Sequence, residues 1–234
     1  MTVNMLVDII LSVAVSAIGI IGVTFNCSII KRGIRGEIFI YYTNLSNLAV
    51  ILYHLLLLIS YTDTESVFHR LIAASPIRLS VTLMIMLTFA IYHFVLRPIC
   101  KKFHRGFYSE DAPKVTADKA IGNICVHYIV PILVFAEWIF SADKSGLRIT
   151  DGIIWILCPA TYMLFIAVRG YLIDKKTKKS NSDNNGKTPV KYPYPFIDID
   201  MLGGARVALN VAIIAAVCAA VGCTTAWFSI FLSA

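Results

Sequence analysis

Six stretches without a charged residue constrain this chain more than any other feature of its sequence. A helix that crosses a bilayer needs roughly 20 mostly apolar residues, and the shorter stretches reach that length when one flanking charge is included. Hydrophobic residues fill 58% of the 234 positions, and no strand-like alternation accompanies them. The sequence therefore predicts an all-α, polytopic membrane protein, a six-transmembrane-helix bundle. The charge-free stretches are 9–30, 38–62, 79–96, 120–136, 152–168 and 207–234.

One transmembrane domain over residues 1–234 is expected, without a separate soluble domain. Its helices are predicted at approximately 5–30, 38–61, 71–96, 119–141, 151–172 and 205–232.

Basic residues are concentrated in alternate connections between these helices. Segments 31–37, 97–119 and 169–206 hold 17 of the 21 Lys and Arg residues. Cytoplasmic loops of membrane proteins carry such an excess, so these connections are expected inside the cell and both termini outside. The same bias, with attraction to anionic membrane lipids, accounts for the net charge of +7, so no nucleic-acid partner is predicted.

The six cysteines lie within or beside predicted helices and form no CxxC motif. Zinc sites and disulfide frameworks have characteristic cysteine spacings that are missing here, so neither is predicted. No metal and no cofactor is expected.

Polar residues are crowded at the start of the second predicted helix, in the sequence YYTNLSNLAVILYH over residues 41–54. Thr43, Asn44 and Asn47 lie within one and a half turns, and polar groups in hydrocarbon are unfavourable without partners or a cavity. Thr43 and Asn47 share one helix face, as do Asn123 and His127 on the fourth helix. We therefore expect a buried polar layer.

The depths of these residues favour a meeting between the second and fourth helices. Thr43 follows Glu37 by six residues, and His127 follows Lys119 by eight. Both therefore lie roughly 10 Å into the membrane from the cytoplasmic side. His93, near the inner end of the third helix, is expected in the same layer.

A hydroxyl becomes a nucleophile when a base takes its proton, and imidazole titrates near neutrality. Thr43 as nucleophile and His127 as base form a minimal acyl-transfer site, which Asn44 or Asn47 would support by orienting the histidine or stabilising an oxyanion. The alternative is structural. A membrane threonine usually bonds its own helix, and a histidine often only joins two helices.

Four motifs give the chain a family resemblance: YYTNLSNLAV, HYIVPILVFAEW, WILCPATYMLFIAVRGYL and YPYPFIDI. In this order they resemble the androgen-induced and androgen-dependent TFPI-regulating membrane proteins, and more closely their six-helix bacterial relatives. The resemblance implies a threonine hydrolase of fatty acid esters of hydroxy fatty acids, in a bacterial inner or plasma membrane. It assigns the catalytic pair to Thr43 and His127, whose 84-residue separation fits the family, and implies a lipid substrate with a long acyl chain.

Other residues allow two interpretations each. Arg78 and Glu137 are expected to pair near the outer face rather than to catalyse. Arg169 either ends the fifth helix at the lipid headgroups or binds a substrate carboxylate. Tyr194, Pro195 and Phe196 either close a lid over the cytoplasmic mouth or anchor the chain at the interface.

Two functions follow from these residues. The first is an intramembrane lipid-ester hydrolase. The second is a non-enzymatic lipid-binding or small-molecule transport protein in which the polar layer binds a ligand. The natural ester, the oligomeric state and the pathway are left open by the sequence.

Overall fold

The computed structural model describes residues 3–102, 116–179 and 190–233. Within these residues the chain forms helices and turns, and no strand. Short helices at Ile29–Arg32, Val67–Ile72 and Ile199–Leu202 lie between six long ones. The long helices are α1 (Val3–Asn26), α2 (Tyr42–Ser60), α3 (Ser75–Ala90, Ile91–Leu96 and Arg97–Lys102), α4 (Ala117–Ile124, Cys125–Ile129 and Val130–Phe140), α5 (Asp151–Ile154 and Leu157–Lys179) and α6 (Gly204–Ser233).

All six long helices are long and apolar enough to cross a membrane. This confirms the predicted all-α, six-helix architecture of an integral membrane protein. The segments 103–115 and 180–189 lie outside the described residues. The connection 97–119 is therefore described only at its two ends, and its first end, Arg97–Lys102, is helical.

The connection between α1 and α2 is longer than predicted. Ser28 adopts a left-handed conformation, with φ of 55°, and ends α1 near Asn26 instead of residue 30. A 3₁₀-helix over Gly36–Ile40 then precedes α2, which begins at Tyr42. Thr43 is therefore the second residue of its helix.

Two π-helical segments interrupt α3 and α4, at Ile91–Leu96 and Cys125–Ile129. A proline follows each one: Pro98 lies four residues after Phe94, and Pro131 four after His127. A proline ring clashes with the carbonyl four residues earlier and provides no N–H for it. The wider turn relieves this conflict, and π-helical turns of this kind are often found at functional sites.

The core joins the faces of α1 to α5 along most of the bundle. Val15 of α1, Val50 of α2 and Val130 of α4 are completely buried and belong to one apolar cluster with Ile85 and Ile166. A second cluster, around Trp138 and Trp155, packs the C-terminal end of α4 and the N-terminal end of α5 against α6.

Helices α5 and α6 come into backbone contact at two glycines. A Cβ built on Gly222 meets the carbonyl group of Gly152, and one built on Gly152 meets the backbone of Gly222 and Cys223. Ala212, Ala216 and Ala220 of α6 take no part in this contact, because they are exposed.

Gly222→Ala is expected to lower the stability of the protein by about 1–3 kcal/mol, the range for overpacked sites. The added methyl group meets backbone, which cannot rotate away. Denaturant or thermal unfolding in detergent measures the loss. Gly204→Ala is the matched control, since a Cβ there has nothing within 4 Å. Equal stability of the two variants would contradict this packing.

Candidate functional site

The polar start of α2 is buried, as the sequence predicts. Thr43, Asn44, Ser46 and Asn47 are all at most 9% exposed. The hydroxyl groups of Ser46 and Thr88 lie 2.7 Å apart and join α2 to α3. We call the end of the bundle that contains these residues the Thr43 end.

Asn47 connects the Thr43 backbone to the helix that carries His127. Its side-chain amide donates to the carbonyl of Thr43 at 2.8 Å and to that of Val126 at 3.2 Å. The π-helical turn explains the second bond. The Val130 N–H bonds the carbonyl of Cys125, and in this register the Val126 carbonyl would need an N–H from residue 131, which is a proline.

His127 is buried and packed against α3. Its ring stacks on the ring of Tyr92 at 3.7 Å between centroids and 14° between planes. The amide of Asn123 donates to the Tyr92 hydroxyl at 2.7 Å and fixes this tyrosine. Among the residues that the structure describes, the Nδ1 atom of His127 has no hydrogen-bond partner, nor has the Oδ1 atom of Asn47. Since buried polar atoms are rarely left unpaired, both are candidates for ligand contacts.

The structure therefore brings Thr43, Asn47, Asn123 and His127 into one connected region. No hydrogen bond joins the Thr43 hydroxyl directly to the His127 imidazole; the connection runs from the Thr43 backbone through Asn47 to the residue before His127.

Two other predicted site residues make contacts that hold the fold. The amide of Asn44 donates to the carbonyl of Ile38 at 2.8 Å and so fixes the turn before α2. His93 lies 3.1 Å from the Tyr128 hydroxyl through Nδ1 and stacks on Phe89. Neither contact points to a catalytic role.

Tyr194 covers Thr43 from the chain segment that precedes α6. Its phenol lies beside the Thr43 side chain, and Tyr194 is buried, as is Ile197. Burial raises the pKa of this phenol, while the polar contact with Thr43 acts in the opposite direction. The phenol therefore stays protonated at neutral pH. Phe196 stacks on Tyr194 at 5.4 Å, and the segment 190–197 packs into the bundle.

Arg169 and Lys191 hold this covering segment to the bundle. The Arg169 guanidinium donates to the backbone carbonyl of Lys191 at 2.8 Å. The Lys191 ammonium bonds Asp174 at 2.7 Å and Asp200 at 2.9 Å, and these bonds raise its pKa. Arg169 does not end its helix, which continues to Lys179.

Arg169→Ala is expected to loosen the segment 190–197, because its bond to the Lys191 carbonyl is lost. Hydrogen–deuterium exchange of that segment should become at least several-fold faster, since a charge-assisted hydrogen bond contributes about 1.5–3 kcal/mol. Arg206→Ala, at an exposed arginine of α6, is the control. Unchanged exchange in Arg169→Ala would contradict this attachment.

An apolar groove lies between α3 and α6, beside the covering segment. Its volume is about 400 Å³ and its walls include Leu87, Ile91, Phe196 and Ile214. A narrower apolar cavity shares these walls and extends to Tyr42, the neighbour of Thr43. Neither cavity is lined by Thr43 or His127; the stacked rings of Tyr194 and Phe196 lie between.

A second buried polar cluster occupies the opposite end of the bundle, which we call the Arg78 end. The Arg78 guanidinium bonds both carboxylate oxygens of Asp8 and one oxygen of Glu137, the latter at 2.7 Å. The expected Arg78–Glu137 pair is confirmed. His54 joins it through Nε2, 2.6 Å from the other Glu137 oxygen.

Sequence reasoning missed Tyr92, Thr88 and Asp8 as members of these clusters. Tyr92 has a signal in hindsight, because it precedes Pro98 by six residues and so lies in a π-helical turn. Asp8 lies at the border of a charge-free stretch, where the sequence gives no sign of burial, yet it is only 3% exposed. Within the described part of the chain, no group of three His, Cys, Asp or Glu residues is placed to hold a metal ion.

No protein-family model, curated protein or solved structure matches this sequence. The chemistry of the site therefore has to be argued from the geometry of the chain itself.

Proposed function

We propose that this protein is an intramembrane hydrolase of long-chain lipid esters, with Thr43 as nucleophile and His127 as base. The observation that carries the proposal is Asn47, which ties the Thr43 backbone to the turn that presents His127. The unpartnered Nδ1 atom of His127 leaves a proton acceptor available in that buried region.

The reaction proceeds by acyl transfer through Thr43. The Thr43 oxygen bonds the ester carbonyl carbon as His127 takes the hydroxyl proton; the C–O bond to the alcohol then breaks, and His127 returns the proton to that alcohol. A water molecule, deprotonated by His127, releases the acid and restores the threonine. In this proposed reaction Tyr194, whose phenol lies beside the Thr43 side chain, donates to the developing oxyanion.

The apolar groove supports an acyl chain as the part of the substrate that is bound. Its walls come from α3, α6 and Phe196 and are almost entirely hydrocarbon, which suits a lipid tail. Because Tyr194 and Phe196 separate the groove from Thr43, the segment 190–197 has to move before an ester reaches the hydroxyl. Such lid movements accompany catalysis in many enzymes.

The family resemblance and the charge distribution extend the proposal. Fatty acid esters of hydroxy fatty acids are the substrates that the resemblance favours. Basic connections at the Thr43 end support the proposal that this end faces the cytoplasm, with both termini outside, in a bacterial inner or plasma membrane.

A non-enzymatic lipid-binding or transport protein is the second candidate. The observation that favours it is the closed arrangement of Tyr194 and Phe196, which leaves an apolar groove that neither Thr43 nor His127 lines. In this function the groove holds a lipid, and the Thr43 cluster only joins the helices.

Purified protein incubated with fatty acid esters of hydroxy fatty acids distinguishes the two functions. The hydrolase releases free acid and alcohol at a rate proportional to protein concentration. Saturable binding of the ester without release, in protein whose fold is verified by its thermal unfolding, would favour the binding protein. Protein denatured by heat is the control for contaminating esterases and spontaneous hydrolysis.

A further inference from the structure

We propose that His54 and Glu137 form a proton-binding site in the buried cluster at the Arg78 end, and that the pair shares one proton between the imidazole Nε2 atom and the carboxyl group. The site lies apart from the Thr43 end and does not depend on the proposed hydrolysis. Its ligand is a proton taken from the aqueous side of the Arg78 end.

The hydrogen bonds of the His54 ring require this proton. Nδ1 of His54 lies 2.8 Å from the backbone carbonyl of Val50, and a carbonyl oxygen only accepts, so Nδ1 carries hydrogen. Nε2 lies 2.6 Å from a Glu137 oxygen. If Glu137 is ionised, Nε2 must also carry hydrogen, and the ring is an imidazolium. If the ring is neutral, Nε2 accepts, and the hydrogen is on Glu137.

Charge balance within the cluster gives the same result. Asp8 and Glu137 provide two carboxylates, but Arg78 provides only one positive charge, and all three side chains are at most 5% exposed. An uncompensated charge is strongly disfavoured in such a place. One proton on the pair makes the cluster of Asp8, Arg78, Glu137 and His54 neutral.

Groups on every neighbouring element act on this pair. Helix α1 contributes Asp8, α3 contributes Arg78 and α4 contributes Glu137. On α2 itself, the Tyr53 ring packs edge-on against His54 at 5.1 Å. Further titratable and charged groups near the cluster are Tyr61, which bonds Asp8, and His69, which packs against Tyr61. Arg70 lies in the wall of the adjacent pocket, and Asp143 and Lys144 interact with Arg78.

Tyr61 adds no charge to the cluster. It lies just beyond the end of α2 and donates its hydroxyl hydrogen to Asp8. Burial raises the pKa of this phenol, and the bond to Asp8 raises it further. Tyr61 is therefore neutral over the physiological range, and the shared proton is the remaining source of balance.

A polar pocket connects the cluster to the aqueous side. It has a volume of about 440 Å³ and opens at the Arg78 end, with Asp8, Arg78, Tyr61 and Ser141 in its wall. His54 itself is completely buried. Asp8 and Arg78 therefore separate the pair from the pocket.

Nitrogen-15 NMR of the histidine rings in the full-length protein, in detergent micelles at pH 8, tests the site directly. His54 is assigned by the signal lost in His54→Gln. We expect an imidazolium ring, or a neutral ring protonated at Nδ1 together with a protonated-carboxyl infrared band that disappears in Glu137→Gln. A ring protonated only at Nε2, or a neutral ring beside an ionised Glu137, would overturn the proposal.

Glu137→Gln provides a second readout. Its amide can donate to Nε2, so the His54 ring should be neutral and protonated only at Nδ1 in this variant. An imidazolium His54 ring in a folded Glu137→Gln protein would also overturn the proposal. If neither variant folds, the wild-type protein decides: free histidine is largely neutral at pH 8, so the absence of both an imidazolium signal and a protonated-carboxyl band excludes the stored proton.

Discussion

Thr43→Ala and His127→Ala are each expected to reduce ester hydrolysis by a factor on the order of 10² to 10⁴ or more, the range that a positioned base contributes. Thr43→Ala removes the atom that bonds the acyl group, and His127→Ala removes the proton acceptor. Because the two side chains act as a unit, the double variant should be scarcely less active than either single one. Turnover of a long-chain ester by each purified variant measures the effect.

Two controls separate catalysis from folding. Thr82 is also a buried threonine, and its hydroxyl bonds its own helix at the carbonyl of Arg78. Thr82→Ala should therefore keep most of the turnover. His93→Ala should do the same, since His93 contacts Tyr128 and Phe89. Turnover that falls equally in Thr82→Ala and Thr43→Ala would show a general effect on the fold and contradict the assignment.

Arg78→Ala is expected to destabilise the protein by about 3–5 kcal/mol, the loss typical when one partner of a buried ion pair is removed. The variant leaves the carboxylates of Asp8 and Glu137 facing each other in a closed polar site, with His54 as the nearest source of positive charge. Chemical or thermal unfolding in detergent measures this loss.

A compensating variant tests the electrostatic origin of that effect. Adding Asp8→Asn to Arg78→Ala removes one unpaired carboxylate and should restore part of the stability. Arg148→Ala is the control, because Arg148 is exposed in the connection between α4 and α5. If Asp8→Asn lowered the stability of the Arg78→Ala protein as much as it lowers that of the wild type, packing rather than charge would explain the role of Arg78.

The six helices were predictable because bilayer crossing imposes length and apolarity on the sequence itself. The predicted helix bounds differ most from the observed ones between α1 and α2. There Ser28 takes a left-handed conformation that a serine does not predict. The same local effect places Thr43 at the first turn of α2, not deeper in it.

The polar layer was predictable in its members but not in its contacts. Helical spacing puts Thr43 and Asn47 on one face, and both are buried as expected. The bond from Asn47 to Val126 depends on a π-helical register. Pro131 alone does not predict this register. The prediction also requires a hydrogen-bond donor on the neighbouring helix at the level of the Val126 carbonyl.

Contacts between distant segments were the least predictable. The pairing of Arg78 with Glu137 was expected from their common depth, whereas Asp8 and His54 join them through packing of four helices. The same is true of Tyr194, for which a lid and an interfacial anchor were both open. Its burial against Thr43 depends on the positions of α2 and α5 relative to each other.

Labelling by a long-chain fluorophosphonate, followed by peptide mass spectrometry, tests the central claim most directly. Such a probe bonds covalently to a hydroxyl only when a base activates it. We predict a single adduct on Thr43, prevented by prior incubation with a long-chain ester and missing in His127→Ala. Folded wild-type protein that hydrolyses the ester but carries the adduct at another residue, or that takes up the probe only reversibly, would contradict Thr43 as the nucleophile.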